Sequence, residues 1–134
     1  MAIDVGTEDF AEAVNEATEG RGANVIFDPV GGDVFIRSFK CIANEGRLLA
    51  IGYSSGSWKN AATGAVVFKN CSVVGVLAAL YDKDFLDRTH EELLKLYAEG
   101  KIRPAKQTIS FEDIPDALTD LANRKVIGRV VAVL

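Results

Sequence analysis

The stretch Asn24-Val25-Ile26-Phe27-Asp28-Pro29-Val30-Gly31-Gly32 decides the fold of this chain of 134 residues. Its first five residues are mainly apolar and too few for a helix, which predicts a buried strand. Pro29 and the glycine pair at 31–32 then break the chain. The chain therefore runs through a strand here and leaves it by a glycine-marked turn.

The segment before this strand has the spacing of an amphipathic helix. Apolar residues recur at i, i+3, i+4 and i+7 between positions 10 and 17. Thr7 is the predicted N-cap, because a hydroxyl there can accept a hydrogen bond from the first helical turn. Gly20 and Gly22 are predicted to end the helix.

Helices and strands alternate after position 32. We expect a second helix capped by Asp33, with Phe35, Phe39 and Ile42 on one face and a stop at 44–46. The later elements are a strand at 47–51, a loop at 53–56, a short helix at 61–68 and a strand at 72–76. This order predicts an α/β fold, a partial doubly wound parallel sheet of Rossmann type with helices on both faces.

The last third of the chain has a different pattern, that of a helix and strand tail. A helix at 85–99 ends at Gly100 and is followed by an extended segment at 104–109. A final helix at 114–123 is predicted to be capped by Asp113, with Pro115 near its start. A strand at 129–133 is predicted to close the chain.

Composition excludes several classes of protein. Hydrophobic residues make up 49% and charged residues 25%, as in ordinary globular domains. The net charge is -4 and the basic residues are scattered, so we expect no nucleic-acid partner. No apolar run approaches the roughly 20 residues that span a bilayer, and the first four residues do not resemble a signal peptide. We expect a cytoplasmic protein without a membrane partner.

The sequence shows no metal-binding motif. Cys41 and Cys71 lie in apolar segments, and we expect both thiols to be buried, reduced and inert. His90 is the only histidine and lies in a charged stretch, which indicates a solvated surface position. We therefore predict no metal site and no catalytic triad.

Three glycine-marked segments, at 28–32, 52–56 and 75–77, are expected at one edge of the sheet. The carboxyl ends of parallel strands share that edge, and ligands bind there. Glycine lets backbone approach a flat ring or a ribose, and it also serves tight turns. The sequence leaves both interpretations open. A GxGxxG motif and its acidic partner about 20 residues later are both absent from it.

Five segments resemble the zeta-crystallin-type quinone oxidoreductases, the zinc-free branch of the medium-chain dehydrogenase/reductase superfamily. They are residues 22–32 (GANVIFDPVGG), 46–52 (GRLLAIG), 69–76 (KNCSVVGV), 100–104 (GKIRP) and 126–131 (VIGRVV). The last of these has Arg129 where the family usually has lysine. Residues 2–4 resemble the end of the family's third strand, so the first two strands, the glycine-rich turn and most of the substrate domain are expected upstream.

The resemblance implies an organisation and a site. Residues 1–99 would be a partial domain for NADP(H) or NAD(H), and residues 100–134 a tail that returns to the absent substrate domain. The residues expected near the cofactor are Val30, Gly31, Gly52, Tyr53, Ser54, Gly75, Val76, Leu77 and Arg129. No catalytic residue is assigned, because in such enzymes the cofactor transfers hydride to a quinone or an activated alkene. We expect the chain alone to be inactive and to form a homodimer through the strand at 72–76.

Two alternative functions stay open at this stage, and so do the roles of two residues. A receiver-like signalling domain would need several carboxylates at strand ends, whereas only Asp28 ends a strand here. A non-catalytic remnant kept for dimerisation would fold and associate without binding nicotinamide. Individually, Arg129 is as well explained by a solvated cation at a strand end, and Asp28 by a carboxylate that caps the next helix.

Overall fold

The computed structural model describes residues 1–5 and 7–134. The chain forms two compact units, Met1–Leu80 and Tyr81–Leu134. Each unit is described by itself below. None of the helices in the described part of the chain is long and apolar enough to cross a membrane.

The first unit is built on a three-stranded parallel sheet in the order β1-β2-β3. Phe27 pairs with Leu49, and Leu49 pairs with Val74. The strands and helices of this unit are α1 (Phe10–Ala17), β1 (Ala23–Asp28), α2 (Gly32–Ser38), β2 (Ile42–Ala50), α3 (Thr63–Phe68) and β3 (Ser72–Gly75). A single 3-10 turn, Ala78–Leu80, follows. The parallel α/β architecture confirms the predicted fold class.

The core of this unit lies between the sheet and two of its helices. Ile42 and Leu48 are fully buried, and the rings of Phe35 and Phe39 meet edge to face at 5.5 Å. Residues 65 and 66 of α3 pack against the same cluster. Each fully buried side chain of this kind stabilises the fold by about 1.5–3 kcal/mol.

The two N-caps predicted for this unit, Thr7 and Asp33, differ from those in the structure. Asp9, not Thr7, caps α1, and its carboxylate accepts a hydrogen bond from the amide of Ala11 at 2.8 Å. The N-cap of α2 is Gly31, and Asp33 lies inside the first helical turn. The carboxylate of Asp28 accepts the amides of Val30 and Gly31 just before α2, and the first amide of the helix, that of Gly32, donates to the carbonyl of Ser57.

The boundary between α2 and β2 also differs. The helix ends at Ser38, where the next three amides bond to carbonyls three residues back, and Ile42 is the first residue of β2 rather than part of a helix face. Ala23 pairs with Ile42, but Val25 pairs with Arg47, so residues 43–46 form a bulge in β2. Residues 44–46, which were predicted to end the helix, therefore lie in a bulge of β2.

The second unit combines a long helix with a strand-helix-strand motif. Its elements are α4 (Lys83–Ala98), β4 (Lys106–Ser110), α5 (Ile114–Ala122) and β5 (Arg129–Val133). The two strands pair in parallel from Lys106 with Arg129 to Ser110 with Val133, a pairing that the sequence did not predict. Gly100 follows α4 with a φ of 70°, and a proline lies in the first turn of α5, both as predicted.

Candidate functional site

The loops that follow β1 and β2 interlock at the carboxyl edge of the sheet. We call residues 29–31 the β1 loop and residues 51–62 the β2 loop. The amides of Ser54 and Ser55 donate to the carbonyls of Pro29 and Val30 at 3.2 and 3.0 Å. In return, the amide of Gly32 donates to the carbonyl of Ser57 at 3.0 Å. These hydrogen bonds bring the first two predicted glycine segments together.

Two glycines of this edge are needed for the contact between the loops. A Cβ atom at Gly31 would lie 3.1 Å from the carbonyl oxygen of Gly52. One at Gly52 would lie 2.9 Å from the carbonyl oxygen of Pro29. Gly31 also has a φ of 68°, which side chains rarely tolerate. Internal packing therefore accounts for glycine at these two positions.

Gly75 is different. A Cβ atom built there has no described atom within 4 Å, and the backbone of Gly75 has no positive φ. The next residue, Val76, donates its amide to the carbonyl of Ala50 at 3.0 Å, which keeps the chain beside β2. The space next to Gly75 is thus open at the carboxyl edge of the sheet.

Asp28 is the buried polar group of the site, with 2% of its surface exposed. Its Oδ1 accepts the amides of Val30 and Gly31, both at 2.9 Å. These two amides precede α2, which has no side-chain N-cap hydrogen bond, so Asp28 orders the turn before the helix rather than capping the helix itself. Its Oδ2 is buried and has no hydrogen-bond partner among the described residues.

A cavity of about 470 Å³ adjoins Asp28. It is lined from the strand ends, from α2 and from the β2 loop, and its lining includes Asp28, Phe35, Ala50, Trp58, Asn60 and Val73. The rings of Tyr53 and Trp58 stack nearby, with centroids 4.2 Å apart. Sequence reasoning missed Trp58 and Asn60, although the only tryptophan of the chain in a polar loop was a usable signal.

The structure brings most predicted site residues to one edge, and Arg129 belongs to the other unit. Val30, Gly31, Gly52, Tyr53 and Ser54 lie in the two interlocked loops, while residues 75–77 follow β3. Tyr53 and Leu77 are exposed. Arg129 begins β5 and donates its amide to the carbonyl of Ala105 at 2.9 Å.

The two cysteines are buried and free, as predicted. Burial, followed by the charge of Asp9, raises the pKa of the Cys41 thiol. A higher thiol pKa lowers the fraction of reactive thiolate. Among residues 1–5 and 7–134, no three His, Cys, Asp or Glu side chains are grouped as a metal site would need. His90 is exposed on α4.

The comparisons with known proteins agree on one family. The zinc-binding dehydrogenase family matches residues 1–132. A quinone oxidoreductase-like protein 2 homolog of Nematostella vectensis is 34% identical over 96% of this chain and 37% of its own length. The quinone oxidoreductase of Pseudomonas aeruginosa is 31% identical over 96% of this chain and 41% of its own.

A solved structure shows the same arrangement. The Escherichia coli quinone oxidoreductase, determined in complex with NADPH, superimposes with a TM-score of 0.82 at 25% identity, over 98% of this chain and 42% of that one. The fold, the sequence match and this superposition together place the chain in the zinc-binding dehydrogenase family. Its relatives include quinone oxidoreductases, one of them solved in complex with NADPH, and an alcohol dehydrogenase described as NAD-dependent. The chain spans about two fifths of the length of the relatives described above.

Proposed function

We propose that this chain supplies the nicotinamide side of the cofactor site in a zinc-free, NAD(P)H-dependent oxidoreductase acting on a quinone or an activated alkene. When bound, NADPH or NADH would supply the hydride. The chain's own residues would hold and orient the nicotinamide half of the cofactor. The observation that carries this proposal is the side-by-side arrangement of three strand ends, at which Gly75 leaves open space.

The residues of the edge divide into two roles. Gly31 and Gly52 shape the edge, because each lies against backbone of the opposite loop. Tyr53, Ser54 and the residues at 75–77 would approach the nicotinamide and its ribose, since all of them are exposed except Val76, which is half-buried. Arg129 would contact the cofactor from β5 in the full enzyme, a role that the resemblance alone suggests.

The chain by itself is proposed to be inactive. Holding donor and acceptor in register accounts for much of an enzyme's rate enhancement, and part of a cofactor site cannot do this. The segment with a glycine-rich phosphate turn is not in this sequence, so the charge-assisted hydrogen bonds to pyrophosphate are lost as well. Purified chain with NADPH and menadione should show no steady oxidation of NADPH, and sustained turnover would contradict this statement.

Two glycine substitutions test the cofactor proposal, and neither introduces a clash within the chain. Positions 64 and 75 are both open to an added Cβ and neither has a positive φ. If nicotinamide lies against position 75, Gly75→Ala should weaken NADPH binding about tenfold, the effect of roughly 1.4 kcal/mol of lost contact. Gly64→Ala, in α3, should leave it unchanged. Equal affinities of the two variants for NADPH would exclude position 75 from the site.

The same chain is proposed to form a homodimer through β3. All four residues of this strand are exposed, and Val73 and Val74 each keep 38% of their surface accessible. An apolar edge strand without proline or lysine favours pairing with a second copy. A non-catalytic dimerisation module is the alternative function that this edge favours, and it requires no affinity for nicotinamide.

A further inference from the structure

Exposed apolar side chains flank β3 on both sides along the chain. Val67 and Phe68, at the end of α3, keep 70% and 89% of their surface accessible. Leu77 and Leu80, in the segment after β3, keep 57% and 81%. Residues 60–81 include a single charged residue, although charged residues make up 25% of the chain. An exposed apolar surface with few charges is typical of the centre of a protein–protein interface.

Backbone hydrogen bonds hold both flanks of β3 in place. Before the strand, the amide of Cys71 donates to the carbonyl of Val66 at 3.1 Å, which ties the end of α3 to the start of β3. After the strand, the amide of Leu80 donates to the carbonyl of Leu77 at 3.1 Å and closes the 3-10 turn. Because the backbone of both flanks is already ordered, little further ordering is needed when a partner binds there.

The free edge of β3 limits how two copies can pair. The amide of Val76 bonds to β2 and amide directions alternate along a strand, so the amides of Val73 and Gly75 face the free edge. A two-fold interface is self-complementary, and so is an antiparallel ladder, in which two opposite residues exchange both of their hydrogen bonds. Val73 of one copy can therefore pair with Gly75 of the other, twice, about an axis at Val74.

Strand pairing by itself is too small for a stable dimer. A stable interface buries about 800 Å² of each partner and involves about 20 residues on each side, whereas β3 has four residues. Antiparallel pairing about Val74 brings the residues before β3 in one copy toward the residues after β3 in the other. Phe68 and Leu80 are each six residues from Val74, in opposite directions along the chain. The exposed apolar flanks are thus the surfaces that this pairing brings together.

We propose that the end of α3 in one copy of this chain packs against the turn after β3 in a second copy, with Phe68 on Leu77 and Leu80 of the second copy. The inference rests on the proposed pairing of β3 and adds an apolar contact on each side of the two-fold axis. Val73 pairs with Leu48, which lies in the core that α3 covers. Alternation predicts that Leu77 lies on this same face of the sheet, the face from which Phe68 would approach.

Cysteine crosslinking tests this contact in the full chain. Both native cysteines are buried, so they should contribute little background. Val74→Cys should crosslink to itself, because opposite residues at such a position lie about 4.5 Å apart, within the range of a disulfide. An equimolar mixture of Phe68→Cys and Leu80→Cys chains should form covalent dimers under mild oxidation, whereas either variant alone should run as a monomer on a non-reducing gel. A mixture of Phe68→Cys with Val25→Cys, exposed on β1, is the control and should not crosslink.

The contribution of Phe68 to the dimer is measured by sedimentation. The ring is 89% exposed, so Phe68→Ser should leave the fold intact and weaken the dimer about tenfold or more, as truncation of a central aromatic residue does. Phe111→Ser is the same change at an exposed position of the second unit, and it should leave the dimer unchanged.

The outcomes separate this contact from the pairing of β3. Crosslinking of Val74→Cys without crosslinking of the Phe68→Cys and Leu80→Cys mixture would overturn the contact and leave the strand pairing standing. An unchanged dimer in Phe68→Ser would overturn it in the same way. A monomeric wild-type chain without any of these crosslinks would overturn both. None of the measurements uses NADPH, so the cofactor proposal stands or falls separately.

Discussion

Gly52 lies directly over the backbone of Pro29, so close that a Cβ atom at position 52 would sit 2.9 Å from the Pro29 carbonyl oxygen. The β1 and β2 loops can interlock only because this side chain is missing. The contact involves backbone on the Pro29 side, which cannot rotate out of the way as a side chain can. The contact between the two loops therefore requires glycine at position 52 as well as at position 31.

The first prediction is that Gly52→Ala destabilises the first unit. Gly52 has no positive φ, so the cost comes from the clash itself, about 1–3 kcal/mol for overpacking. Gly64→Ala is the matched control and should be neutral or stabilising by up to about 1 kcal/mol, because alanine is the better helix former. Urea unfolding followed by Trp58 fluorescence reports this unit. Equal urea midpoints for the two variants would show that the loops accommodate the added Cβ atom without loss of stability.

The second prediction concerns the pH dependence of stability through Asp9. Its hydrogen bond with Arg37, then that with the amide of Ala11, lowers the pKa of Asp9 below its ordinary value of 3.8. A lowered pKa in the folded state gives stability that is present above pH 3.8 and lost as the pH falls through the folded pKa. Asparagine also caps helices well, so Asp9→Asn removes mainly the charge.

We therefore expect Asp9→Asn to be less stable than wild type near neutral pH and equal to it in strong acid. Glu16→Gln, an exposed change on the same helix, serves as the control and should track wild type at every pH. Thermal unfolding across the range from pH 2 to pH 7 measures the difference. A difference in unfolding temperature between Asp9→Asn and wild type that persists in strong acid would contradict a lowered pKa of Asp9.

The third prediction concerns the dimer. The amide of Val76 bonds to β2, and amide directions alternate along a strand, so the amide of Val74 also faces β2 and that of Val73 faces the free edge. A proline at 73 removes an outward donor, whereas one at 74 breaks the sheet itself. Val73→Pro should therefore yield a folded monomer, and Val74→Pro an unfolded or strongly destabilised chain.

Sedimentation at micromolar concentration distinguishes these outcomes. Wild-type protein is expected to sediment as a dimer. A monomeric wild-type protein would exclude the β3 edge as a dimer interface. A dimer that persists in Val73→Pro would point to another surface.

The sequence was sufficient for the order of elements because their signals are local. The strand at 24–28 and the strand at 129–133 follow from apolar runs between turn residues, and the structure has them within one residue. The extent of β2 could not be predicted, because its first residues pair through a bulge and depend on β1. Likewise Thr7 and Asp9 are both residues that cap helices well, and the ion pair of Asp9 with Arg37 depends on a distant residue that the local sequence does not indicate.

The candidate site was only partly predictable, for a similar reason. Glycine at 31, 52 and 75 was expected at the carboxyl edge of the sheet, where the structure has all three, but the sequence did not separate packing from ligand contact. The structure assigns Gly31 and Gly52 to packing between loops and leaves Gly75 open. Trp58 and Asn60 line the Asp28 cavity only because the β2 loop folds back over the β1 loop, a relation between distant residues that no local pattern carries.

The central claim, that this edge holds the nicotinamide side of a cofactor, is tested most directly by titrating the labelled wild-type chain with NADPH and following its amide resonances. Binding is expected to be weak. The first shifts should appear at Gly75 and Leu77 and in the β2 loop at Gly52 and Tyr53. Saturable shifts centred elsewhere, for example around His90 on α4, would contradict the claim, as would the absence of any shift at millimolar NADPH.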